Sequence, residues 1–333
     1  SSGYGRVDKA AAWMLLARLY LNAEVYTGTA DWANAKLYAK KVIDSPYKLY
    51  TAKKGQWSAY QQLFMGDNGE NGSSVEAIFP ILQDGKKTTS WGTTLFLMAG
   101  CNDNKERVKS ATEKGNNTTE GWAGNRMRPD LVQKFFPNND APNISAYAMP
   151  AAADDDRALF DGDGRNVTNG DDENGVKVFT NGFSVCKFNN FKTDGSAGHD
   201  SKYPDADFFL MRAAEAYLMY AEADARQNGG TTTADGAKYI NELRSRAHAT
   251  THTAYSLRQI CDEWSREFYF EGLRRTTLIR FGYFGGNVNY NWSWKGGVKN
   301  GRNFDAHLNL FPIPTSDLTA NGNLAQNPGY SSK

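Results

Sequence analysis

The chain carries eight Trp, 17 Tyr and 18 Phe, so 13% of it is aromatic. Two of the tryptophans stand where no core would need them. Trp91 lies in Thr88-Thr89-Ser90-Trp91-Gly92-Thr93, and Trp122 closes Asn116-Asn117-Thr118-Thr119-Glu120-Gly121-Trp122. A ring among small polar residues offers a flat apolar face to the C–H side of a ligand, while neighbouring side chains hydrogen-bond its hydroxyls. That is the chemistry of holding a saccharide without changing it. Trp13, Trp32 and Trp264 instead fall on helical stripes and are expected in the core, and Trp292 and Trp294 are expected to pack.

A second set of groups could hold a cation. Asp67-Asn68-Gly69-Glu70-Asn71-Gly72-Ser73-Ser74-Val75-Glu76 alternates oxygen donors and ends on a carboxylate, so Asp67, Asn71 and Glu76 could ligate a structural calcium. The spacing is not that of an EF-hand, and a solvated acidic turn is the simpler reading. Asp161-Gly162-Asp163 is a shorter version of the same idea. No cofactor is required by anything in the chain. His199, His248, His252 and His307 form no HExxH, and neither a GxSxG elbow nor a Walker loop occurs. With 37 acidic residues some carboxylate pair always exists, so availability alone does not argue for a glycosidase. The expectation is a binding protein, not an enzyme.

Net charge is +1, from 38 basic and 37 acidic side chains. That balance gives no electrostatic reason to expect nucleic acid or an anionic membrane surface as partner. Cys101, Cys186 and Cys261 are far apart and odd in number, which suits buried thiols better than zinc or a disulfide framework. No apolar run reaches the length of a membrane helix.

The elements that must position these residues are helical at both ends. A helix over 8 to 23 starts near Asp8, with Trp13, Leu16, Ala17, Tyr20 and Leu21 on one face. A second follows from Asp31, with Trp32, Ala35, Ala39 and Val42 on its stripe. Trp13-x-x-Leu16-Ala17-x-x-Tyr20 has the pattern of a tetratricopeptide first helix. A later pair sets Leu210, Ala213, Ala214, Tyr217, Leu218 and Ala221 against Ala237, Ile240 and Leu243. A further helix over 256 to 272 opens on the capping box Ser256-x-x-Gln259. Between them, about 47 to 206 is rich in Gly, Asn, Asp and Ser, with a strand candidate at Val75 to Leu82 and a helix candidate at Met127 to Phe136. The fold class is therefore mainly α, with tetratricopeptide-like helical hairpins and a large loop-rich insertion carrying short strands. The insertion is where a ligand is expected.

Three stretches in order resemble the RagB/SusD family of Bacteroidetes outer-membrane lipoproteins. They are Gly5-Arg6-Val7-Asp8-Lys9-Ala10-Ala11 with Leu15 to Leu21; Leu210 to Leu218 with Tyr220-Ala221-Glu222-Ala223, Ile240 to Arg244, Glu263, Arg266-Glu267, Glu271 to Arg275 and Leu278 to Gly282; and Phe311-Pro312-Ile313-Pro314 with Gln326 to Tyr330. Leu63-Phe64-Met65, Val132 to Phe136 and Trp294-Lys295-Gly296-Gly297 are closest to its starch-binding branch. Thr277 departs from the Asp common before the Leu-Ile-Arg run, a place read here as structural.

The resemblance implies one SusD-like domain over residues 1–333, lacking its N-terminal segment: a hairpin over 5–46, the loop-rich ligand-binding region over 47–206, and hairpins with a C-terminal tail over 207–333. It also implies a surface-exposed outer-membrane protein, lipid-anchored through the missing segment. Such a protein captures a glycan, best matched by starch-type α-glucan, and delivers it to a SusC-like TonB-dependent transporter without catalysis. Trp91 and Trp122 fall on positions of an aromatic arc in starch-binding members. From the helical hairpins alone, a repeat adaptor for a peptide or protein is the competing expectation.

Overall fold

A computed structural model describes residues 3–103, 116–167 and 177–331. Helix α1 (Lys9–Leu21) begins at Asp8, whose carboxylate accepts from the backbone N–H of Ala10 and Ala11, so two of the helix's orphan donors are satisfied. A short α2 (Ala23–Thr27) leads to α3 (Trp32–Ile43), capped in the same way by Asp31. The inward stripe of α1 is Ala10, Met14, Ala17 and Leu21, and that of α3 is Ala35, Ala39 and Val42. Small residues at this seam let the backbones close up. The large rings therefore sit on its flank, Tyr20 stacking on Tyr38 at 5.5 Å and Trp32 lying 4.6 Å under the Arg226 guanidinium. Trp13 and Trp32 are thus half-buried flank residues, contrary to the expectation, while Trp264 is a core residue.

The loop-rich stretch contains α4 (Ala59–Gln62), α5 (Thr93–Ala99), α6 (Pro129–Val132) and α7 (Met149–Ala152). Its strands are β1 (Ala77–Ile81), β2 (Phe160–Asp161) and β3 (Ser184–Val185), with β4 (Phe208–Arg212) at its end. β1 pairs antiparallel with β4, and β2 with β3. The helix expected from Met127 is only the single turn α6. Pro129 starts it, and Met127 is drawn away into a bridge with Phe183. Leu210 belongs to β4 and is exposed, because pairing with β1 holds the chain extended until Ala213.

The second helical part comprises α8 (Ala213–Gln227), α9 (Ala234–Arg246), α10 (Leu257–Phe268), α11 (Arg274–Arg280) and α12 (Thr315–Ala320). α8 is buried on every side from Ala213 to Ala225, between α3, α9, α10 and α1. Ser256 and Gln259 form the reciprocal capping box on α10. Ser256→Ala is expected to lower the free energy of urea unfolding by about 1 kcal/mol, with Ser256→Thr recovering most of it. Thr277 is buried and bonds its hydroxyl to the Leu273 carbonyl, a structural role.

Where the loops meet the helices, charges are buried in an unbroken network. Arg212 donates to Glu76 (2.9 Å), Glu267 (2.7 Å) and Glu271 (2.7 Å). Arg246 donates to Glu76 and Glu267, Arg157 to Asp155, Glu263 and Glu267, and Lys187 to Glu271. Residues far apart in sequence are thereby tied into one core. Cys101, Cys186 and Cys261 are buried thiols, and burial pushes Cys101 up to about 12.

Candidate ligand-binding site

Trp91 and Trp122 come together. Their ring centroids are 6.2 Å apart at an interplanar angle of 32°, and the residues are 54% and 40% exposed. Phe96, 49% exposed on α5, extends the surface 6.0 Å beyond Trp122. Tyr203 meets Trp91 edge-on at 5.9 Å, and the Lys202 ammonium lies 5.0 Å from the Trp91 ring. Glu120 accepts the Trp122 indole N–H through one oxygen, and its other oxygen lies 3.4 Å from Lys202. The result is a continuous aromatic patch with a cation, a carboxylate and an indole N–H at its border.

Three pieces of chain build it. α5 supplies Phe96 outward, while Leu95 and Met98 go inward. Residues 116–125 fold back on the end of α5: the backbone N–H of Trp122 reaches Ala99 O, Ala123 reaches Asn102 O and Asn125 reaches Gly100 O. The third piece, 199–207, carries Lys202 and Tyr203. Asp205 clamps it to the Trp91 loop by accepting from Gly85 N and His199 N, and Asp207 does likewise by accepting from Gln83 N and the Tyr4 hydroxyl. Burial pushes the Asp207 carboxyl above its ordinary value despite these donors. The backbone N–H groups of Tyr203 and Lys202 hold the Asp200 carboxyl below the usual carboxylate range. Gly85 is required here, since a Cβ would stand 2.4 Å from the Tyr203 carbonyl oxygen.

Both platforms are also set by strained backbone. Thr93 (φ +50°) and Ala123 (φ +49°) adopt the left-handed region within two residues of Trp91 and Trp122. Such conformations cost on the order of 1–3 kcal/mol each and persist where the surroundings over-determine them. Thr93 is restrained by a 2.9 Å bond from its hydroxyl to Gln83 Oε1.

Of the three candidate calcium ligands, Glu76 turns into the interior. Its carboxylate is fully buried and accepts from Arg212, Arg246 and the Tyr50 backbone N–H. Asp67 accepts from Thr193 and Asn71, and Asn71 Oδ1 accepts from Ser73 N. These oxygens are engaged by protein donors, and through them Asp67, Asn71 and Glu76 tie the loop to its neighbours. Asp161 likewise accepts from Ala146 N and Asp163 N. Trp292 packs, as expected, stacking on Phe284 at 6.1 Å. Phe96 and Lys202 carry no local sequence signal that marks them as part of a site. Tyr203 sits in Asp200-Ser201-Lys202-Tyr203-Pro204, the same polar setting that singled out Trp91.

Residues 75–330 match the SusD family. The starch-binding protein SusD of Bacteroides thetaiotaomicron is 43% identical over 359 residues, covering 98% of this chain and 61% of SusD. A SusD superfamily protein of Parabacteroides distasonis superposes with a TM-score of 0.63 at 18% identity, covering 98% of this chain and 64% of that one. Surface glycan-binding protein A of Bacteroides thetaiotaomicron, in complex with laminarihexaose, superposes with a TM-score of 0.61 at 22% identity, covering 98% and 65%. This chain belongs to the SusD family. It spans about three fifths of the length of SusD.

Proposed function

We propose that the chain binds a glycan, without catalysis, across Trp91, Trp122 and Phe96. The observation that carries this reading is the pair of exposed indoles 6.2 Å apart and inclined by 32°. Two such faces offer neighbouring sugar rings separate stacking surfaces that turn with respect to each other. A chain that itself curves, as an α-1,4-glucan does, keeps both contacts, while a straight β-1,4-linked chain lifts off one of them. Lys202 and Glu120 stand at the edge, where hydroxyls are hydrogen-bonded. Likeness to a relative named for starch binding supports the same substrate class. The proposed setting is the bacterial outer-membrane surface, with delivery of the bound glycan to a SusC-like TonB-dependent transporter.

Affinity electrophoresis in gels containing amylopectin, pullulan, dextran or xylan tests the reading. Retardation by amylopectin and pullulan, with free migration in xylan, is the expected result. Retardation by xylan alone would reject the curved-glucan assignment, and free migration in all four gels would reject the site.

A further inference from the structure

Away from the tryptophan platform, a cavity of about 520 Å³ opens between α6, α10, α11 and the segment 284–293. That volume suits a small organic molecule. One wall is aromatic: Trp292 stacks on Phe284, and Tyr290 stands edge-on to Trp292 at 6.5 Å. The other feature is charge. Arg126, Arg128, Lys134, Arg258, Arg274 and Arg275 line the cavity, and Asp130 is the one carboxylate residue among the described residues of its lining. Asp130 is engaged through one oxygen, Oδ2, which accepts from the backbone N–H and hydroxyl of Ser293 at 2.8 and 2.7 Å.

Arg128, Arg274 and Arg275 donate to neutral acceptors, while Arg258 lies 3.9 Å from the Asp262 carboxylate. Arg274 donates to Cys261 O and to the Tyr290 hydroxyl, and Arg275 to Leu308 O. Arg128 gives Nη1 to Asn181 O at 2.6 Å, while its Nη2 is buried with no hydrogen-bond partner among the described residues. Burial lowers the pKa of Arg128, against only the Asp130 charge raising it. A guanidinium nitrogen buried without an acceptor is unfavourable, and an incoming anion would supply that acceptor together with a matching charge.

We propose that this cavity binds an organic anion, a carboxylate or sulfate ester carried on a ring, with the anionic group on Arg128 and the ring against Trp292. The reading is independent of glycan capture at Trp91 and Trp122. Guanidinium forks match both carboxylate and sulfate oxygens, and the stacked wall accounts for the ring.

Tryptophan fluorescence and calorimetry with D-glucuronate, D-glucose 6-sulfate and D-glucose test it. Saturable binding of at least one anionic sugar, tenfold or more tighter than glucose and weakened as salt is raised, is the expected result. Arg128→Met should weaken that binding at least tenfold, with far-ultraviolet circular dichroism confirming the fold. Arg258 is a second target, because its side chain is 52% exposed and its loss does not threaten folding. Arg258→Met should weaken binding by a smaller factor. Equal binding of all three sugars, no binding of either anion, or unchanged affinity in both variants would overturn the proposal.

Discussion

Glu267→Ala is expected to remove at least 3–5 kcal/mol of stability, enough to leave much of the protein unfolded at 37 °C. Glu267 is fully buried and accepts from Arg212 at 2.7 Å, Arg246 at 2.5 Å and Arg157 at 3.2 Å. Deleting it takes one carboxylate from three buried guanidinium groups that keep Glu76, Glu271, Asp155 and Glu263, and the excess positive charge left in a dry interior costs more than the net worth of the pairs themselves. Glu267→Gln keeps acceptor geometry but not charge, and should fall between wild type and Ala in urea unfolding. A loss below about 1 kcal/mol for Glu267→Ala would show that water reaches the site and screens it.

The same residue sets the acid limit. Burial alone would raise the Glu267 pKa, but Arg246, Arg212 and Arg157 reverse this and hold it at about 2, against an ordinary 4.5. Glu263 is lowered in the same way, burial being overcome by Arg157, Arg266 and Arg244. A carboxylate depressed in the folded state stabilises fully above its unfolded pKa, and that contribution disappears as pH falls through the folded value. Unfolding should therefore set in as pH drops from 4.5 toward 2, and Glu267→Gln should flatten that dependence.

This network shows how far local pattern carries. Glu263, Glu267 and Glu271 stood out in the sequence as members of an ordered motif, and helix spacing places the first two on α10. Nothing local says that Glu76, nearly 200 residues earlier, joins them. Read by itself, Glu76 closes an acidic loop and looks like a cation ligand. The partners that decide its role, Arg212 and Arg246, arrive through the β1–β4 pairing and the end of α9. Helices were legible because capping and periodicity act over four residues. Asp8, Asp31 and Ser256 were each readable as caps, and each caps. The rim rings Trp13 and Trp32 were misplaced because periodicity reports which residues share a face, not how closely a partner helix approaches it. The platform is legible by composition at Trp91, Trp122 and Tyr203, each set among polar residues. Phe96 was hidden in the run Leu95-Phe96-Leu97-Met98, which reads as core until α5 turns one member outward.

The Trp91→Ala/Trp122→Ala protein is expected to bind amylopectin at least 30-fold more weakly than wild type, a loss of about 2 kcal/mol. Each stacking face contributes roughly 1 kcal/mol, so each single substitution should cost about fivefold. Because rings 6.2 Å apart share a ligand and a wall, the double loss should exceed the product of the two singles. Removing Trp122 also frees Glu120 from the indole N–H and takes a neighbour from Phe96, so its single effect should be the larger. Phe96→Ala should fall below both, since its ring lies at the end of the row. Tyr26→Ala supplies the contrast: it is an exposed aromatic on α2, on the helical hairpins, where a peptide-binding repeat protein would make its contacts. If Tyr26→Ala weakened binding and the double tryptophan variant did not, the ligand would sit on the hairpins, and glycan capture by the loops would be rejected. Unchanged melting temperatures across the set would assign the losses to the platform surface, because these rings face solvent and leave the buried cores as they are.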